Sequence, residues 1–223
     1  MNYLEKIYLV FHKLLSKPQE RGMYSAGYWQ SKVRENILTM LSQYQGRLLE
    51  IGCGEGLFLS QFVKAYPQIQ PWGVDCWTEA LIDARKRFIE KEIKRVSLVT
   101  ADAQRLPFKD SSFDSVVCAN FFICVESLSM VRSVLQEAAR VCRKNAALII
   151  EFRNKKNIFL NLKYKWAKYY DTTTQRHPLS TYDKEEIVAM LKEFGFALGR
   201  IQEIDFPFKG MAAIFILEAK KVC

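Results

Sequence analysis

Three glycines at alternate positions, Gly52, Gly54 and Gly56, constrain this chain more than any other feature. They close the run Leu48-Leu49-Glu50-Ile51-Gly52-Cys53-Gly54-Glu55-Gly56, whose apolar start reads as a short strand. A helix is expected to open near Leu57. Glycine lets the backbone turn sharply and approach a ligand with no Cβ in the way. The helix behind it offers unpaired N–H groups and a positive dipole end to an anionic group. Taken alone, the loop suits any nucleoside-containing ligand, NAD included.

Two acids narrow the choice. Asp75 ends a second apolar stretch, Pro71-Trp72-Gly73-Val74-Asp75, about twenty residues beyond the loop, where doubly wound sheets set an acid against a ribose diol. A third apolar stretch, Val96-Ser97-Leu98-Val99-Thr100, leads into Ala101-Asp102-Ala103. An acid followed by a small residue there accepts from an adenine amino group and leaves its neighbour's N–H facing the ring. Dinucleotide folds do not need that third station, so the series favours S-adenosylmethionine.

On these residues the chain resembles the class I S-adenosylmethionine-dependent methyltransferases, in their small-molecule branch. The matching segments are 48–56, 73–75, 101–108 (Ala-Asp-Ala-Gln-Arg-Leu-Pro-Phe), 112–117 (Ser-Phe-Asp-Ser-Val-Val), 137–141 (Glu-Ala-Ala-Arg-Val) and 194–196 (Phe-Gly-Phe). The resemblance spans about 24–219. It implies a doubly wound α/β fold, with a mostly parallel seven-stranded sheet, helices on both faces and an antiparallel last strand. It also implies that Glu50, Gly52, Gly54, Gly56, Asp75, Asp102 and Ala103 surround the cofactor, S-adenosylmethionine. Cys53, inside the loop, and Cys76, next to Asp75, are counted with that cofactor-binding set.

Length and composition agree. The chain has 223 residues, the size of one α/β domain, and its 49% apolar content supplies a sizeable core. Helical and strand patterns alternate from the glycine loop onward, the sign of a mostly parallel sheet with covered faces. Strands are expected at 115–119, 146–152, 197–204 and 212–219, and a helix from Trp29 to about Tyr44. Asp183 with Glu186 reads as a capping box for the last helix, which Gly195 ends. The reading divides the chain into an N-terminal helical cap, 1–45, and a Rossmann-like methyltransferase domain, 46–223. Within the cap, Leu4, Tyr8, Phe11 and Leu15 share one helical side; the apolar run there is too short for a signal peptide core or a bilayer span. The six cysteines form no CxxC pair and, with only two histidines, no metal site is expected; they read as reduced thiols of a cytoplasmic protein.

Catalytic residues are less plain. A general base helps when the acceptor is a hydroxyl and is less needed for an amine. His177, in Gln175-Arg176-His177-Pro178, is the candidate, against the commoner alternative of a solvated loop histidine. Asn120, just beyond the fourth strand, is expected either to touch the cofactor or to cap a turn. The sequence Asn120-Phe121-Phe122-Ile123 lacks the Asn/Asp-Pro-Pro-aromatic turn of many enzymes that methylate adenine or glutamine, which argues against such acceptors. Where the family branch usually has Pro-Gly-Gly before the fifth strand, this chain has Arg143-Lys144-Asn145, and Asn145 is expected to take the left-handed turn.

The net charge of +9 concentrates in 153–170, which holds six basic residues and no acidic one. Ile158, Leu162, Trp166 and Tyr169 share one helical face there. Such a basic amphipathic segment, part of an acceptor or lid insertion at about 153–182, suits peripheral contact with an anionic membrane, a lipid-linked or anionic acceptor, or a packed lid with solvated lysines. Nucleic acid is the weaker partner, because basic residues elsewhere are interleaved with acids and no RNA-binding module is present. The expected activity is methyl transfer to a small organic acceptor. A non-catalytic S-adenosylmethionine-binding regulator or scaffold is the alternative, with an NAD-dependent dehydrogenase more distant.

Overall fold

The computed structural model describes residues 28–167 and 179–222. Its elements run α1 (Tyr28–Leu41), β1 (Leu48–Ile51), α2 (Leu57–Ala65), β2 (Trp72–Asp75), α3 (Thr78–Glu90), β3 (Ser97–Thr100), β4 (Phe113–Cys118), a 3-10 turn (Phe122–Cys124), α4 (Leu128–Val141), β5 (Cys142–Arg153), α5 (Ile158–Ala167), α6 (Lys184–Glu193), β6 (Phe196–Asp205) and β7 (Ala212–Lys221). The seven strands form one sheet in the order β3-β2-β1-β4-β5-β7-β6. Neighbours from β3 to β5 pair in parallel, whereas β7 lies antiparallel to both β5 and β6. The expected architecture is therefore present.

The two-residue period of the strands explains the layers. Leu49, Ile51, Val116, Cys118, Leu148 and Ile150 point into a core shared with α4 and α6. Their alternates Leu48, Val117, Ala119 and Ile149 point into a second core with α1, α2 and α3. Burying both faces is why β1 is apolar at three of its four positions. Helix α4 carries Val131, Val134, Leu135 and Ala138 on its buried face, each large side chain adding about 1.5–3 kcal/mol. Ser127 caps its start by accepting from the N–H of Met130, so Ser127→Ala should cost about 1 kcal/mol.

Element edges differ in small ways from the sequence expectation. Helix α1 stops at Leu41 rather than Tyr44, and β5 starts at Cys142 rather than Ala146. Asn145 has a φ of 68°, the left-handed conformation expected of it. Asp183 does cap α6, but its Oδ1 accepts from the N–H of Glu185 at 2.9 Å, one residue before the partner that the capping-box pattern named. The expected N-terminal helix through Leu4 and Leu15 lies outside the described residues.

The strand order sets the crevice. Chain order runs outward in opposite directions from the β1–β4 pair, so the connections leaving those two strands part and open a cleft at their carboxyl ends.

Candidate functional site

Gly52, Gly54 and Gly56 all adopt positive φ, at 73°, 48° and 70°, where a side chain would be strained. Each serves a different purpose. A Cβ on Gly52 would sit 2.2 Å from the Phe121 ring, so this glycine lets the β1 and β4 turns close on each other. A Cβ on Gly54 would meet nothing within 4 Å, and its bare backbone faces open space. Gly56 lies behind the cavity, where a Cβ would strike Phe88 at 2.6 Å; it allows α2 to pack on α3. Of the ten expected cofactor positions it is the one that does not line the cavity: its sequence spacing matches Gly52 and Gly54, but the chain has already turned into α2.

A cavity of about 310 Å³ occupies the crevice. It is lined by Glu50, Gly52, Cys53, Gly54, Asp75, Cys76, Asp102, Ala103 and Asn120, so nine of the ten expected cofactor positions meet in one place. Asp75 is the hinge of the arrangement. Its Oδ2 accepts from the N–H of Gly54 at 2.8 Å and its Oδ1 from the N–H of Trp77 at 2.9 Å. Each carboxylate oxygen keeps a second lone pair for a ligand hydroxyl. Burial pushes the Asp75 carboxyl above its usual range, opposed by hydrogen bonds from Trp77 and Gly54.

Asp102 accepts from the N–H of Gln104 at 2.8 Å, forming a tight turn in which half-buried Ala103 lines the cavity. The loop after it is anchored from α4. Glu137 accepts from the N–H of Leu106 at 2.7 Å, while the Arg140 guanidinium donates to the carbonyls of Leu106 and Phe108. This anchoring explains why 101–108 and 137–141 occur together in the sequence.

Glu50 and Arg34 were read unequally in the sequence. Glu50 is 2% exposed and its Oε2 has no hydrogen-bond partner. Burial raises its carboxyl well above the usual range, and the charge of Arg34 opposes that rise. Arg34, on α1, is equally buried and lines the same cavity. Sequence reasoning missed it. The signal was a cation spaced three and seven residues from Ile37 and Leu41, on the buried face of an apolar helix.

The β4–β5 side holds a second buried pair that the sequence did not reveal. Glu151 and Arg153 are both essentially inaccessible and are joined as an ion pair. Glu151 Oε2 also accepts from the N–H of Asn120 at 3.0 Å, and Arg153 donates to the Tyr164 hydroxyl on α5 at 3.0 Å. Asn120 has a φ of 56°, so it is the turn residue and also lines the cavity. Its side-chain oxygen is buried without a partner. Cys124, which lines the cavity, is exposed, and desolvation raises its thiol above the usual range. Phe122 is buried core, whereas Phe121 lines the cavity. His177 lies outside the described residues. Among the described residues no group of three or more His, Cys, Asp or Glu side chains is arranged to hold a metal.

Comparison with known proteins gives this geometry its context. Residues 49–150 match the family model of a methyltransferase domain. A malonyl-[acyl-carrier protein] O-methyltransferase of Paenibacillus sp. is 26% identical over 156 residues, covering 68% of this chain and 55% of the relative. A phosphatidylethanolamine N-methyltransferase of Cereibacter sphaeroides is 33% identical over 128 residues, covering 57% of this chain and 60% of the relative. The chain thus spans little more than half the length of these two curated relatives. Among solved structures, the magnesium protoporphyrin IX methyltransferase from Synechocystis PCC 6803, with bound SAH, superposes with a TM-score of 0.69 at 18% identity, covering 86% of this chain and 83% of that one. At that identity the likeness speaks for the fold.

Proposed function

We propose that this protein, whose residues 49–150 match the methyltransferase-domain family, is a class I S-adenosylmethionine-dependent enzyme that methylates a small acceptor joined to a lipid or carrier. The observation that carries the reading is the series of acids along one cavity, whose lining also includes buried Glu50 and Arg34.

The residues fit S-adenosylmethionine at each of its parts. Asp75 takes the ribose hydroxyls. Asp102 and the N–H of Ala103 take the adenine edge. The bare backbone at Gly54 admits the ligand closely, and the unpartnered Glu50 Oε2 with the Arg34 guanidinium suits the ammonium and carboxylate of an amino acid. The bound sulfonium supplies a methyl group already activated as an electrophile. The chain's work is therefore to orient the acceptor and exclude water, which in the best intramolecular models contributes roughly 7–11 kcal/mol. Asn120, fixed through its peptide N–H by Glu151, lines the cavity and keeps a buried side-chain oxygen without a partner. His177 is the candidate proton acceptor for a hydroxyl substrate.

The acceptor class draws on the relatives, whose acceptors are a carrier-linked acyl group and an aminophospholipid. The test is transfer of labelled methyl from S-adenosylmethionine to malonyl-acyl carrier protein and to phosphatidylethanolamine vesicles. Turnover on either supports the reading and chooses between oxygen and nitrogen. Tight S-adenosylhomocysteine binding with no turnover on these or on other lipid- and carrier-linked acceptors would favour the non-catalytic alternative.

A further inference from the structure

Helix α5 does not behave as a packed lid. Its inward residues are Leu160, which is fully buried, and Tyr164, which receives the Arg153 hydrogen bond. The face bearing Ile158 and Leu162 points away from the domain, with those side chains 67% and 54% exposed. The turn between β6 and β7 adds to the same surface. Phe208 is 66% exposed, and its ring meets that of Phe159 edge-on at 6.4 Å. Two elements far apart in sequence thus present one apolar patch.

The patch is built rather than incidental. Asn157, buried at the start of α5, donates from Nδ2 to the carbonyls of Phe206 and Met211 at 2.8 and 3.0 Å. Asn154 Nδ2 donates to the carbonyl of Ala212 at 2.7 Å. These bonds lock the helix to the hairpin. On the other flank, Trp29 of α1 packs edge-on against Phe206 with ring centroids 5.0 Å apart.

Position and charge choose the occupant. Pairing of Arg153 with Ile214 sets the hairpin beyond the carboxyl end of β5, the same sheet edge at which the cavity opens. Lys155, Lys165 and Lys209 are exposed on these two segments; 155–167 contains no acidic residue, and the one acid at the turn, Asp205, accepts from the N–H of Gly210 at 3.0 Å. Apolar side chains rimmed by lysines suit the interface of an anionic bilayer, where each lysine near the surface is worth roughly a fivefold gain in partitioning. No described helix is long and apolar enough to cross a membrane.

We propose that α5 and the β6–β7 hairpin form a docking platform for an anionic bilayer, presenting the acceptor side of the cavity to the membrane surface. This rests on the reading of a lipid-joined acceptor, and it commits to a lipid surface rather than a second protein.

The test is co-sedimentation of the full chain with phosphatidylglycerol–phosphatidylcholine vesicles and with phosphatidylcholine alone. The expected result is binding to the anionic vesicles that weakens with salt. Replacing Leu162 and Phe208 by serine should reduce partitioning at least tenfold. Ile89→Ser, at an equally exposed apolar site on α3, should not change it. Failure of the native chain to bind anionic vesicles, or equal binding by the double variant, would overturn the proposal. So would a dimer in solution that the double variant converts to monomer, since the patch would then serve a second copy. S-adenosylhomocysteine affinity, measured in parallel without vesicles, separates the two readings. Intact affinity with no vesicle binding sinks the platform alone; vesicle binding without affinity sinks the methyltransferase site alone.

Discussion

Strands β1, β2 and β3 are four residues long, and each brings an acid to the crevice within or just after the strand: Glu50, Asp75 and Asp102. Strands β5, β7 and β6 run for 12, 10 and 10 residues, and their polar groups near the crevice are a buried ion pair and the locked base of an exposed apolar patch. One half is built from local turns, with backbone N–H groups bonded to nearby carboxylates. The other is built from contacts between distant segments. A ligand shared by many proteins can be held by short recurring turns, whereas an acceptor particular to one protein is met by tertiary placement. Affinity for the adenosyl group should therefore depend on the first half and be largely indifferent to the second.

The hardest challenge to that division is Arg153→Met. Removing one partner of a fully buried pair should cost roughly 3–5 kcal/mol of stability, read as a lower denaturation midpoint. The double variant Glu151→Leu with Arg153→Met should recover only part of that loss, because the Asn120 N–H and the Tyr164 hydroxyl also lose their partners. In both variants, S-adenosylhomocysteine affinity of the folded fraction should stay within a few-fold of the parent. A matching collapse of affinity would show that the two halves act as one unit.

Asp75→Ala is the corresponding attack on the first half. It removes a half-buried carboxylate that orders the Gly54 turn and lines the cavity, so affinity should fall by roughly 30- to 150-fold, equivalent to about 2–3 kcal/mol. Asp102→Ala, at an exposed turn, should cost nearer tenfold in the same titration. Equal losses would contradict the ordering by burial.

Glu50→Gln sharpens the picture through pH. Because burial raises the folded-state carboxyl of Glu50, the folded chain holds a proton that the unfolded chain has released above the ordinary carboxylate range. Its contribution to stability is therefore present at low pH and is lost as pH rises through the raised value. Thermal melts should show the variant gaining on the parent as pH increases from 5 to 8, while its S-adenosylhomocysteine affinity drops about tenfold or more. A stability difference independent of pH would mean that Glu50 is already ionised and paired in the free protein.

The same contrast explains what could be read from the sequence. The glycine turns, the two acids after β2 and β3, and the left-handed Asn145 are decisions made within a few residues, so local chemistry exposes them. Gly56 shows the limit even there, since only the packing of Phe88 places it behind the cavity. Arg34 is a cavity residue only because α1 docks on the sheet, with Val33 and Ile37 in the core it shares with the strands. Glu151 and Arg153 lie two residues apart on β5 with no sequence signal that they are buried together, and nothing in Pro207-Phe208-Lys209 foretells its junction with Phe159. The basic segment was legible as amphipathic, but which face packs inward required Leu160 and Tyr164 to be placed.

Calorimetric titration of the purified chain with S-adenosylhomocysteine, 5′-methylthioadenosine and NAD tests the central claim most directly. The account predicts saturable one-to-one binding of S-adenosylhomocysteine, binding of methylthioadenosine at least tenfold weaker because Arg34 and Glu50 lose the amino-acid end, and none for NAD. A folded protein that binds NAD and neither adenosyl ligand would contradict it.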